Sequence, residues 1–98
     1  RSALAVVCHY PLSKLIADPA LLDAEERAFV ESPFSHVDFL IYNAITKQPL
    51  LPIEVDGWGF HGGNSIQQHR DALKDGLLAK YDLSPCRIST TDQGHLAI

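Results

Sequence analysis

The sequence lacks methionine, and it contains one tryptophan and only two cysteines among 98 residues. Because the chain begins with arginine, we expect it to be a piece of a longer protein. Cys8 and Cys86 lie far apart and no C-x-x-C pair occurs, which argues against a zinc ribbon. A disulfide between them stays open, but the favoured interpretation is two buried free thiols in a reducing cytoplasm.

Long hydrophobic runs and a surplus of positive charge are also missing. No apolar segment approaches the roughly 20 residues that a membrane-spanning helix needs, and the start lacks the pattern of a signal peptide. Eight basic residues against twelve acidic ones give a net charge of −4, so charge alone predicts poor nucleic-acid binding. The length and the 46% hydrophobic content predict one globular domain over residues 1–98, cytoplasmic and without membrane contact.

The hydrophobic pattern predicts three successive strands. "ALAVVCHYPL" is an apolar run that Pro11 ends, and "HVDFLIYN" alternates with a period of two. "LLPIEVDG" follows after a six-residue connection, which indicates an antiparallel hairpin. Pro52 within it predicts an edge strand, or a ladder position that needs no N–H.

Two helices are predicted from capping residues and apolar periodicity. Asp23 can cap a short helix over residues 24–31, and Asn64 or Ser65 can cap a longer one over about residues 66–81. The apolar stripe of the longer helix is Ile66, Leu73 and Leu77, which we expect to be buried.

The element order predicts a small mixed α/β sheet. The longer helix lies between the strand "LLPIEVDG" and a final strand, "SPCRIST". Such an order implies a right-handed crossover and a parallel neighbour. We therefore expect a three-strand meander, a crossover helix and a parallel last strand.

Two acids interrupt the predicted hairpin. Asp38 and Glu54 lie on facing strands, so pairing and alternation should place both carboxylates together on one sheet face. Mg²⁺ takes one or two carboxylates together with water and phosphate, so this pair predicts a divalent-cation site. The alternative is a solvated sheet face, or ion pairs with Arg70 and Lys74.

Polar and aromatic residues surround this pair. One face of the longer helix carries four of them, at positions i, i+3, i+4 and i+7: Gln67, Arg70, Asp71 and Lys74. In the loop "GWGFHGGNS", Trp58 and Phe60 could stack on an unpaired base or form a lid over the sheet edge. His36 and His69 receive no role.

The segments "SHVDFLIYNAITKQPLLPIEVDGWGFH" and "QQHRDALKDGLLAKYDLSPCRIST" resemble the restriction-endonuclease-like, or PD-(D/E)xK, nuclease superfamily. More closely, they resemble the DUF2726 family, found at the C-terminus of bacterial helicase-like proteins. The family pattern falls on eight residues: Asp38, Glu54, Asp56, His61, Gln67, Arg70, Asp71 and Lys74. Asp56 stands where the superfamily usually has its lysine, so Lys74 is the candidate for a displaced lysine.

The resemblance implies a restriction-endonuclease-like core and hydrolysis of DNA, at ends or internal sites, with Mg²⁺ or Mn²⁺. The implied metal ligands are Asp38, Glu54 and Asp56, and the implied catalytic residues are these three and Lys74. The implied substrate-binding residues are His61, Gln67 and Arg70.

The resemblance also implies helicase or ATPase domains in the same chain, and a first core helix that would precede Arg1. The alternative function is a catalytically inactive nucleic-acid-binding or interaction module of a helicase-like protein.

Overall fold

The computed structural model describes residues 3–56, 65–92 and 95–97, with side chains described for residues 3–56 and 65–89. The strands are β1 (Leu4–Pro11), β2 (His36–Asn43), β3 (Pro49–Asp56), β4 (Cys86–Asp92) and β5 (His95–Ala97). The helices are α1 (Leu12–Leu15), α2 (Ala24–Glu31) and α3 (Ser65–Ala79), with a 3₁₀ turn at Pro19–Leu21. None of the described helices is long and apolar enough to cross a membrane.

The strands form one mixed sheet in the order β1-β2-β3-β4-β5. Strands β1, β2 and β3 pair antiparallel, and β3 pairs parallel with β4 across the crossover that contains α3. The predicted meander, crossover helix and parallel strand are therefore confirmed. The parallel strand is not the last one, because the short β5 pairs antiparallel with β4.

The helices cover one face of the sheet and enclose the hydrophobic core. Its buried members are Leu12, Leu15, Ile16, Leu22, Val30, Val37, Leu40, Leu77, Leu78 and Leu83. Leu77 is buried as predicted, but Leu73 is only partly buried and Ile66 is 73% exposed, so the predicted stripe is wrong at its first two positions. The reason is that the buried residues of α3 are in its C-terminal half, and Ile66 lies in its first turn.

The opposite face of the sheet carries a row of half-exposed apolar side chains. Cys8 pairs with Phe39, Phe39 with Ile53, and Ile53 with Cys86, so the four residues form one row across four strands. Both cysteines are free thiols, as predicted, but both are exposed, so the predicted burial is wrong. They are exposed because the row alternates with core residues such as Leu40 and points away from the core.

Pro52 lies in a central strand, so the edge-strand alternative is wrong. It faces Leu40 of β2, and the pairing of β3 with β4 begins only at the next residue, Ile53. The position fits the other alternative, in which the missing N–H removes no bond to β4.

Helix α2 begins where its capping residue predicts. The Asp23 carboxylate accepts a hydrogen bond from the Glu26 backbone N–H at 2.8 Å, and the Glu26 carboxylate accepts one from the Asp23 N–H at 2.9 Å. This reciprocal pair is a capping box. The buried Glu26 also forms an ion pair with Lys80, just after α3, so the cap ties the two helices together.

We expect Asp23→Ala to lower the free energy of unfolding by about 1 kcal/mol, because the Glu26 backbone N–H loses its hydrogen-bond partner. Urea unfolding followed by circular dichroism measures the change. Glu31→Ala, which removes the same charge at the other end of α2, is the control and should leave stability nearly unchanged. Equal losses in the two variants would contradict the role of the cap.

Candidate functional site

The site begins where Asp38 on β2 faces Glu54 on β3. Regular pairing of the two strands runs up to Phe39 and Ile53, and the next opposed positions are the two acids. There, each carboxylate accepts a hydrogen bond from the backbone of the opposite strand. Glu54 Oε2 lies 3.1 Å from the Asp38 nitrogen, and Asp38 Oδ2 lies 2.8 Å from the Val55 nitrogen. The two acids therefore lie together, as the hairpin pattern predicts.

Lys74 reaches this pair from helix α3. Its Nζ donates to Glu54 Oε1 at 3.0 Å and to the backbone carbonyl oxygen of His36 at 2.8 Å. The side chains of Lys74 and Glu54 are 14% and 8% exposed, so this ion pair is largely removed from water. Lys74 thus contacts the second acid from a helix position 20 residues further along the chain.

Arg87 is a site residue that the sequence analysis missed. The parallel register places it opposite Glu54, and its guanidinium bonds Asp56 Oδ1 at 2.9 Å and Asp75 Oδ1 at 2.7 Å. Burial lowers the pKa of Arg87, but the hydrogen bond with Asp75 and the charges of Asp75 and Asp56 outweigh it, so the pKa is raised. Arg87 is permanently cationic and neutralises Asp56.

The signal that could have found Arg87 is the parallel pairing itself. Once "SPCRIST" is placed beside "LLPIEVDG", one of the few possible registers puts the arginine next to the acids of β3. Nothing in the sequence selects that register in advance, because both strands are apolar around these positions.

These side chains line one cavity of about 320 Å³. Four carboxylates and three cationic groups contribute to its wall: Asp38, Glu54, Asp56, Asp71, Arg70, Lys74 and Arg87. Gln67 lines it too and donates to Asp71 at 2.9 Å, and the Arg70 guanidinium lies 5.5 Å from the centre of the Phe29 ring. Seven of the eight residues in the family pattern are thus gathered here, and His61 lies outside the described residues, as do Trp58 and Phe60.

A family described as "Protein of unknown function (DUF2726)" matches residues 1–97. The chain belongs to the DUF2726 family. No curated protein and no solved structure matches it.

His36 is a second residue of this DUF2726 chain to which the sequence analysis gave no role. Its Nδ1 lies 3.0 Å from the Phe34 carbonyl oxygen, which only accepts, so Nδ1 carries the hydrogen. Its Nε2 lies 3.9 Å from Asp38 Oδ1, and its ring lies 3.7 Å from that of His9. The histidine ring therefore lines the Asp38 side of the cavity.

Two side chains of the site, Asp38 and Glu54, carry the carboxylate oxygens that a hard divalent cation binds. Asp38 and Glu54 provide carboxylate oxygens, each of which can accept more than the one hydrogen bond described. Mg²⁺ binds in this way, through one or two carboxylates with water and phosphate as the remaining ligands. Among the described residues, no group of three or more histidine, cysteine, aspartate or glutamate side chains is placed to hold a metal.

We expect Lys74→Met to lower the free energy of unfolding by about 3–5 kcal/mol, because it leaves the buried Glu54 carboxylate without its cation. The double variant Glu54→Gln/Lys74→Met should recover much of this loss, since neither buried charge remains. Urea denaturation of the parent, the single variants Glu54→Gln and Lys74→Met, and the double variant measures the coupling between the two sites.

Lys47→Met, on the exposed connection between β2 and β3, is the matched control and should cost far less. If the Lys74 variant is no less stable than this control, or if the double variant is less stable than Lys74→Met, the buried pair does not hold the site together.

Proposed function

We propose that this DUF2726 chain is a metal-dependent nuclease domain with a restriction-endonuclease-like core, which hydrolyses the phosphodiester bonds of DNA. One observation carries the proposal. Lys74 contacts Glu54 at 3.0 Å, beside Asp38 and within one cavity. An acid on one strand, an acid on the next and a lysine against the second acid are what the resemblance implies.

Asp38 and Glu54 are the residues that would hold Mg²⁺ or Mn²⁺ in this proposal. The cation would supply charge stabilisation at the phosphate and a more acidic bound water. The two ligands are oriented before any ion arrives, because each is already hydrogen-bonded to the backbone of the neighbouring strand. Asp56 is a weaker candidate for a ligand, since Arg87 contacts it.

Other residues of the chain would bind and orient the DNA. Lys74 can place a donor and a positive charge where the reacting phosphate lies, as it shares the cavity with both acids. Gln67 and Arg70 lie on the same helix face and wall, and so can bind the phosphates on either side. In this proposal Lys74, Gln67 and Arg70 can contact the DNA together because all three lie on helix α3.

The acidic composition of the chain predicts poor nucleic-acid binding, but the charge of the cavity differs from that of the whole chain. The chain as a whole carries −4, but three cations stand against four carboxylates in the cavity wall. A divalent cation added to this set would make the wall positive. Phosphate binding would then rest on local geometry rather than on the overall charge.

The resemblance further supports a place for the domain in a larger cytoplasmic protein with helicase or ATPase domains. In that setting the remainder of the protein would deliver the DNA.

A second candidate function is a catalytically inactive module that binds nucleic acid or a helicase partner. It is favoured by the neutralisation of Glu54 by Lys74 and of Asp56 by Arg87, which satisfies both acids without a metal. Its mark would be binding of DNA with no cleavage in any divalent cation.

We expect millimolar Mn²⁺ to raise the Tm of the parent chain and Asp38→Asn to abolish the rise. A ligand that binds the folded state alone stabilises it by mass action. Asparagine keeps an oxygen that can accept from the Val55 N–H, so the variant loses the charge and keeps the fold. Thermal unfolding with and without Mn²⁺ measures the shift, and plasmid and linear DNA test cleavage by the same proteins.

Asp18→Asn is the matched control, because Asp18 is another acid whose carboxylate accepts a backbone N–H, in this case that of Ala20. It should keep the full response to Mn²⁺. An unchanged Tm in the parent would contradict the metal site, and a Tm shift without DNA cleavage in any divalent cation would favour the inactive module.

A further inference from the structure

Phe34 is a large apolar side chain placed at the cavity with its ring in solvent. It lies in the turn between α2 and β2, lines the cavity that contains Asp38 and Lys74, and is 80% exposed. A single exposed apolar residue is ordinary on a protein surface. What distinguishes this one is its position beside the proposed phosphate-binding groups.

The backbone that presents Phe34 is fixed on both sides. Its N–H donates to Ser32 Oγ at 3.3 Å, and its carbonyl accepts from His36 Nδ1 at 3.0 Å. The next residue, Ser35, donates to the Ser32 carbonyl at 3.1 Å and accepts from the Leu12 N–H at 3.0 Å. The ring is therefore held out by an anchored turn, so a ligand that contacts it need not order the backbone.

Cationic groups lie on the helix side of the same cavity. Arg70 is positioned over Phe29, and Lys74 lies deeper against Glu54. The cavity therefore combines an exposed aromatic face and two positive groups. A nucleotide has a matching set of parts, namely a flat base and a negatively charged phosphate.

We infer that the cavity mouth takes an unpaired base of single-stranded DNA, stacked on the Phe34 ring, with its phosphate facing the cationic groups of Arg70 and Lys74. This inference rests on the proposed function, because it names the class of DNA that the site receives. Bases within a duplex are stacked on both faces, so only an unpaired or extruded base offers a face to the ring. Duplex DNA would meet the cations without the ring.

The test is binding measured by fluorescence anisotropy, with Ca²⁺ in place of Mg²⁺ so that binding is separated from hydrolysis. The probes are a labelled DNA strand of about 16 nucleotides, the same strand in duplex form, and a strand of equal length with abasic residues. We expect the parent to bind the normal strand most tightly. Phe34→Ala should weaken that binding by about 5- to 150-fold and leave the abasic strand unaffected.

Three further variants separate stacking from other effects. Phe34→Trp should keep the preference for the normal strand, and Phe34→Leu should lose it, because leucine is apolar but has no aromatic face. Ile45→Ala is the matched control, since Ile45 is 79% exposed and lies in the β2–β3 turn, outside the residues that line the cavity.

Four results would overturn the inference. Equal binding of the normal and abasic strands by the parent excludes stacking, and so does unchanged binding after Phe34→Ala. If duplex DNA is bound as tightly as the single strand and is cleaved with Mg²⁺, the inference fails while the proposed nuclease function stands. If the parent binds none of the three probes, the inference fails as well, and the Mn²⁺ response of the Tm still judges the metal site separately.

Discussion

The Glu54 carboxylate is the constraint on which the arrangement of this domain depends. It is buried, and its two oxygens accept from the Asp38 backbone on β2 and from Lys74 on α3. A buried carboxylate must keep such partners, because leaving it unpaired costs several kcal/mol. One side chain thus fixes the spacing of two strands and the position of the crossover helix. The ion pairs of Arg87 with Asp56 and Asp75 then bind the fourth strand to the same helix.

The same contacts define the chemistry open to the site. A cation that binds Glu54 must share this carboxylate with Lys74. The lysine and the metal can therefore occupy the cavity together only if the Glu54 carboxylate binds both. Asp38 is the more accessible of the two acids, and it accepts a hydrogen bond from the Val55 N–H at the cavity wall. In the proposed site, the buried pair of Glu54 and Lys74 preorganises the cavity and Asp38 completes it. Such preorganisation is what electrostatic stabilisation of a phosphate requires.

Sequence patterns predicted the parts of this structure that depend on neighbours in the chain. The Asp23 cap follows from local residue chemistry, and the juxtaposition of Asp38 and Glu54 follows from a hairpin with a period of two. Arg87 was missed because its contacts depend on a parallel register that no short-range pattern fixes. The predictions of burial at Ile66 and at the two cysteines were wrong for a related reason. Helical and strand periodicity gives the face of a residue, but not how much of that face a neighbour covers.

The central claim is that Asp38 and Glu54 together hold a divalent cation in the presence of Lys74. Its most direct test is a crystal structure of the chain grown with Mn²⁺, with anomalous scattering used to locate the metal. We expect an anomalous peak within bonding distance of carboxylate oxygens of both Asp38 and Glu54, with Lys74 still inside the cavity. No peak at these two carboxylates, with Lys74 still the cation bound to Glu54, would contradict the claim.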